Sequence, residues 1–371
     1  MMTILKFLPL ILLPVAGYLI FSPVKNQDLK EENIMLKAEK QRAFTTGYFF
    51  EQDKFFKECH ASTIVHLKNG QLMAAWFGGV KEGTDDVAIW LIKGTPGNWS
   101  MPVKVAKIRE DAHWNPVLFQ SPRGRIFLYF KVGKKIPSWE TWFITSDDNG
   151  KTWTAPKELV AGDKGGRGPV RNKPIILANG TWVAGASHEE GQWDAFADLS
   201  NDNGKTWTAS PYIKLDRTTL KGKGVIQPTL WESAPGKVHM LLRSSDGAIY
   251  RSDSEDGAKT WSAAYKSGLP NPNSGIDLTR LPDGMLVMAY NPDTANWGSR
   301  SPLSLIISFD NGKTWPKILD IATGDKKDEF SYPAVIGYGD TIAVAYTWKR
   351  KNIAYWIGTK DELLKAAKDR K

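Results

Sequence analysis

Along most of its length the chain alternates short apolar runs with short polar breaks, and the runs recur in a fixed order. The first unit reads TIVHL, a KNGQ turn, LMAAWF, a variable loop and VAIWLI. Short runs rich in Val, Ile, Phe and Trp, bounded by Gly, Asn and Pro, predict β-strands. The same order returns as PVLFQSPRGRIFLYF with TWFITS, then as PIILANGTWVAGAS with DAFADLS. It returns again as PTLWESAPGKVHMLLR with AIYRSDS, as DLTRLPDGMLVMAY with PLSLIIS, and as PAVIGYGDTIAVAYTW with NIAYWIG.

A turn-rich octapeptide closes most units: SDDNGKTW at 146–153, SNDNGKTW at 200–207, a looser SEDGAKTW at 254–261 and SFDNGKTW at 308–315. Their last residues, Trp153, Trp207, Trp261 and Trp315, are each 54 positions apart, and one step back falls on Trp99 in the degenerate KGTPGNW. The sixth unit has no recognisable octapeptide. Strand-rich repeats of this length, with about four strands each, are the signature of propeller blades. Six units fill residues 46–371, so the expected fold is all-β, a six-bladed β-propeller forming one domain.

The octapeptide itself reads as structure. Asp and Asn cap their own turn backbone, Gly supplies a positive φ, and Trp packs between blades. Turns so alike, spread around a ring, cannot converge on one substrate. In the blade order they join the third and fourth strands, on the face away from the loops between strands two and three. Chemistry is therefore expected on the opposite face, among residues that do not repeat.

The first residues break the pattern. Residues 7–21, FLPLILLPVAGYLIF, are an uninterrupted apolar run after Lys6, short for a full membrane span and suited to a signal-peptide core. No small-x-small cleavage site follows. Residues 1–24 are expected to be an export signal or uncleaved anchor, engaging membrane or export machinery, and 25–45 a charged tether. That places the rest outside the cytoplasm, in the periplasm or cell envelope. Cys59 is the single cysteine, so no intrachain disulfide can form and the fold rests on its core. A net charge of +9 over 371 residues favours an anionic partner, and no nucleic-acid motif accompanies it.

The pattern S-x-D-x-G-x-T-W is the Asp-box, and a six-bladed propeller carrying it resembles the sialidase superfamily. The resemblance implies a carboxylated sugar held by three arginines, a Tyr nucleophile paired with a Glu, and an Asp acid/base, with no metal or cofactor. In VIQPTLWESAPGKVHMLLRSS, Arg243 matches one family arginine, while Gln227-Pro228 stands where Glu-Pro is expected. Arg300, eight residues before Ser308, matches another, and FSYPAV puts Tyr332 at the nucleophile's position. GGVKEGTDDVAIW offers Asp85 or Asp86 as the acid, with Lys81 and Glu82 as solvated loop charges. Counting back to the first family arginine gives His60, so the chain departs from the pattern there as well as at Gln227.

A phenol needs a base, and Gln227 cannot accept a proton. Glu58 and Asp277, at inner-strand starts, are the alternative carboxylates. Asn115, Lys173, Gln227 and Tyr332 each precede a Pro at an inner-strand start and are expected to ring the central funnel. Lys131, His188 and Trp348 close second strands and are expected to face the same way. Arg243 and Arg300 can each present a planar fork of donors to a carboxylate. His60, as cation or neutral donor, can stand in for the missing arginine.

Three functions remain open at this point. The first is an exo-glycosidase on an acidic glycan or glycolipid, removing a terminal sialic acid or a related ulosonic acid such as 3-deoxy-octulosonic acid (Kdo). The second is a non-catalytic carbohydrate-binding propeller, favoured by Gln227. The third is a uronate polysaccharide lyase using Tyr332 with His60.

Overall fold

The computed structural model describes residues 44–370, and the expected signal or anchor and nearly all of the tether lie outside them. Those residues form six antiparallel sheets arranged as blades, each entered from its inner strand. The six inner strands are Glu58–His66, His113–Gln120, Ile175–Ile176, Val225–Ala234, Asp277–Arg280 and Phe330–Tyr338. Antiparallel neighbours follow outward in chain order, as the repeated grammar requires.

Two short strands do not follow that order. Thr45–Tyr48 pairs with Asn352–Thr359 and becomes the outer strand of the sixth blade. The missing sixth octapeptide is thereby explained, because no turn leads from the third strand to an outer strand supplied from elsewhere in the chain. Pairing the two ends of the propeller closes the ring and removes its free edges. Beyond it, helix Lys360–Ala366 is fixed by a capping box between Thr359 and Glu362. Lys368–Asp369 then adds to the fifth blade.

Apolar side chains fill the spaces between blades, and Trp76, Trp182, Trp231 and Trp356 are fully buried there. The octapeptides do the work expected of them. Ser146 Oγ accepts from Gly150 N and donates to Asp148, both at 2.8 Å, and Asp148 accepts from Thr152 N at 2.9 Å and from its hydroxyl at 2.6 Å. The same contacts recur around Asp202, Asp256 and Asp310. Gly150, Gly204 and Gly312 take positive φ at the fifth position. In the looser copy Ala258 adopts the same conformation at φ 70°, which its β-carbon makes costlier by about 1 kcal/mol. All four turns follow third strands, whereas the inner strands begin at the opposite end of each blade.

Candidate active site

Four inner strands share one distortion. Ala61, Asn115, Gln227 and Tyr332 hold φ of 57°, 42°, 55° and 50°, and at each the pairing register slips. Three of them precede a Pro, which cannot donate to the ladder and pushes its predecessor out of the right-handed region. A bulge there re-aims a side chain, at a backbone cost of about 1–3 kcal/mol each. The funnel positions expected from sequence are thus equivalent for Asn115, Gln227 and Tyr332. Ala61 is their first-blade counterpart, and Lys173 lacks the left-handed backbone.

Tyr332 is the residue on which charge converges. The Arg243 Nη1 donates to its hydroxyl oxygen at 2.5 Å. The guanidinium carbons of Arg171, Arg243 and Arg300 lie 5.2, 5.5 and 5.6 Å from its ring centroid. His60 packs against the ring with centroids 4.1 Å apart. Arg243 also donates to Gln227 Oε1 at 3.1 Å and to Asn273 Oδ1 at 2.8 Å, so its fork is held from three sides. Burial, reinforced by the charge of Arg350, pushes the His60 imidazole well below its usual range and keeps it neutral.

A second charged group braces the first. Glu329 accepts from Arg300 at 2.5 Å, from Arg350 at 2.7 Å and from the Ser331 hydroxyl at 2.7 Å. Burial works against its charge, but Arg300 and Arg350 hold the carboxyl well below the ordinary range; His60, being neutral, adds no charge to that balance. Arg350 continues to Glu82, whose backbone N–H reaches Glu58 Oε2 at 3.4 Å. The side chain of Asn291 ties down the carbonyls of Arg300, Pro302 and Phe330. Glu82, expected as a solvated loop charge, is therefore ion-paired with Arg350 and braces the loop against Glu329.

The remaining expected residues divide by location. Asp277 is buried with both oxygens engaged, by Lys173 Nζ at 2.8 Å, Thr229 Oγ1 at 2.7 Å and Val335 N at 2.7 Å. Asp277 and Lys173 therefore cross-link blades three, four, five and six. Lys131 has no exposed surface; its ammonium is bound by the Thr141 hydroxyl and the Arg167 carbonyl, and burial lowers it to about 8. Trp348 meets Tyr48 of the outer strand and the Lys349 ammonium. His188 is part-exposed, 3.6 Å from Glu190. In the first-blade loop, Asp86 accepts from Val80 N at 2.7 Å and from the Thr84 hydroxyl at 2.5 Å, and these contacts, outweighing its slight burial, lower its carboxyl. Asp85 is exposed, and among the described residues only its carbonyl is engaged, by Lys107.

Several residues of this cluster carry no sequence signal of their own. Arg171, 1% exposed and donating to the Pro333 carbonyl at 2.9 Å, brings a third guanidinium to Tyr332 from the third blade. Burial lowers it to about 10. Glu189 follows a second strand and accepts from the Ser187 hydroxyl at 3.2 Å. Enclosure of its carboxyl raises it above the ordinary range, with Arg243 opposing. The 54-residue ruler could have found Glu189, since it stands one place beyond the strand end occupied by His188. Arg171 breaks no pattern that a single sequence displays.

Similarity to known proteins follows the same outline. Residues 70–344 match the BNR repeat-like domain. A sialidase of Paraclostridium sordellii is 27% identical over 204 residues, 46% of this chain and 48% of that protein. A sialidase of Clostridium perfringens is 26% identical over 153 residues, 37% of this chain and 38% of its own length. The chain thus spans about half or less of these relatives. Among solved structures, a Hadza microbial sialidase superposes with TM-score 0.72 at 16% identity, covering 84% of this chain and 67% of the other. A protein of unknown function from Dyadobacter fermentans does so with TM-score 0.70 at 18% identity, covering 85% and 98%. With the matched domain covering most of a six-bladed ring, the chain belongs to the BNR repeat-like family of the sialidase-like superfamily.

Proposed function

We propose that the protein is an exo-glycosidase that releases a terminal 2-keto acid sugar, sialic acid or a relative such as Kdo, with Tyr332 as nucleophile. The observation that carries this reading is the 2.5 Å contact from Arg243 to the Tyr332 oxygen, within a collar of three guanidiniums. An arginine donating to that oxygen stabilises negative charge as it develops there. A neutral phenol also approaches an anomeric centre that bears a carboxylate without like-charge repulsion, and tyrosine-nucleophile sialidases are a recognised exception to the two-carboxylate rule.

In the proposed sequence, Tyr332 Oη bonds to the anomeric carbon as the glycosidic C–O bond breaks. The phenol proton passes to a carboxylate, and the acid in the first-blade loop protonates the leaving oxygen. Water then cleaves the tyrosyl–sugar bond, its hydroxyl going to the anomeric carbon and its proton to the first-blade acid, while the carboxylate returns its proton to the Tyr332 oxygen. Glu189 is the best-supported base, because its carboxyl is enclosed beside Arg243 and the Ser187 hydroxyl while both Asp277 oxygens are already engaged. Asp85 is the better-supported acid, because the Asp86 carboxylate is spent on Val80 and Thr84. Arg243 and Arg300 are the proposed carboxylate clamp. The apolar run at 7–21 supports a cell-envelope location and trimming of surface glycans.

One observation favours a second reading. Gln227 leaves Tyr332 without the family's paired carboxylate, as a binding propeller would. Incubation with 4-methylumbelliferyl sialoside and with Kdo-capped oligosaccharides separates the two. Release of the terminal sugar from either is the expected result. Intact substrates together with tight binding would leave the binding propeller standing.

A further inference from the structure

Beyond Tyr332, on the far side of Arg243, lies a cleft of about 280 Å³ that the reaction above does not use. It is lined by Trp193, Trp297, Lys221, Lys223, Asn273 and Asn296, among others. The two spaces share a wall, because the Arg243 guanidinium lies 5.9 Å from the Trp193 ring and 5.8 Å from the Trp297 ring while it holds the Tyr332 oxygen.

Three features mark the cleft as built for a ligand. Trp297 is 64% exposed and sits at φ 58°, so a large indole is kept in water on a strained backbone that costs about 1–3 kcal/mol. Burial of apolar surface would otherwise draw such a side chain into the fold. The segment Lys221-Gly222-Lys223-Gly224 is pressed against its neighbours, since a β-carbon on Gly222 would lie 2.3 Å from the Ser245 carbonyl oxygen and one on Gly224 2.1 Å from that of Trp193. Trp193 N donates to the Lys223 carbonyl at 3.0 Å, so one aromatic wall and the lysine segment are fixed together. Finally, Lys221 and Lys223 are exposed and belong to no ion pair among the described residues. The adjacent Asp246 is already satisfied by Lys266 at 2.8 Å, Tyr250 at 2.7 Å and the Lys221 backbone N–H at 2.7 Å.

A space of this size suits one sugar ring, with indole faces for its apolar side. A neutral sugar would rely on amide groups, but Asn273 spends its oxygen on Arg243 and donates its nitrogen to Asn296 at 2.9 Å. The charge left without an ion partner is cationic, with Lys223 Nζ 5.8 Å from the Trp193 ring centroid at the cleft wall. We propose that this cleft holds the sugar next to the one released, and that it selects an anionic one, so the preferred substrate carries two acidic sugars in succession. This rests on the glycosidase reading above and adds the identity of the leaving group.

The test compares two disaccharides with the same terminal acid sugar, one followed by an acidic sugar and one by a neutral hexose. Calorimetric titration into Tyr332→Phe measures binding without turnover. The diacid is expected to bind roughly tenfold more tightly. Adding Lys221→Gln with Lys223→Gln should bring the two ligands within about twofold, as should high salt, whereas Lys237→Gln at the octapeptide end should leave the preference intact. Equal affinities in the parent, or a preference that survives loss of both lysines, would overturn the inference while the terminal sugar alone still binds. If neither disaccharide nor the free terminal sugar binds, the glycosidase reading falls and takes this inference with it.

Discussion

At one end of the blades, four octapeptide turns make the same contacts with the same residues. At the other end, the equivalent bulged positions carry Ala61, Asn115, Gln227 and Tyr332, and no two blades present the same side chain. Both ends use left-handed backbone, so strain alone does not mark a functional site. At the turns that strain is matched by local hydrogen bonds and serves the fold. At the bulges it aims unlike side chains toward the start of the inner strands, where charges from several blades meet.

If the two ends differ in this way, substitutions should separate activity from stability. Tyr332→Phe should lower kcat by roughly a thousandfold or more, with a melting curve close to the parent's. A folded, fully active variant would remove the distinction. Glu189→Gln should lower kcat/KM by about a hundredfold at the optimum. It should also abolish an acidic limb in the pH profile: the base works only when ionised, and burial raises its carboxyl, so the parent's limb should lie above the ordinary carboxylate value of about 4.3. An unchanged profile would exclude Glu189 as the base.

Glu329→Gln probes the brace between the arginines. Because the folded carboxyl is held below its unfolded value, its stabilisation is present above about pH 4.3 and is lost as pH falls toward the folded value. Chemical denaturation should show a loss of about 3 kcal/mol at pH 7 that shrinks in acid. A gap that widened in acid would contradict the ion-pair account. The smallest effect belongs to the repeated end: Asp310→Ala should cost about 1 kcal/mol of stability and leave the kinetics untouched. A kinetic defect there would mean that the two ends are coupled.

The sequence carried these two ends unequally. The blade count, the strand order and the face bearing the turns were legible because a 54-residue step repeats a physical unit. Ring closure was not, because Thr45–Tyr48 is four residues long and pairs with a strand some three hundred positions away. At the mouth, Arg243, Arg300, Gln227, His60 and Tyr332 stand out through the resemblance to the sialidase superfamily, and the fold brings all five together. Lys173 and Asp277 looked alike in sequence but are tied to each other across the blades. Arg171 and Glu329 escaped because their significance lies in which blade faces which, and single-strand patterns do not encode that distance, whereas the repeat could have pointed to Glu189.

Reaction with a 2,3-difluoro derivative of sialic acid or Kdo, followed by intact-mass and peptide-mapping spectrometry, tests the central claim most directly. A slowly hydrolysed adduct of one sugar per chain is predicted, mapped to Tyr332 and absent from Tyr332→Phe. Tight, saturable binding of either analogue with no adduct at Tyr332, or an adduct on another residue, would contradict it.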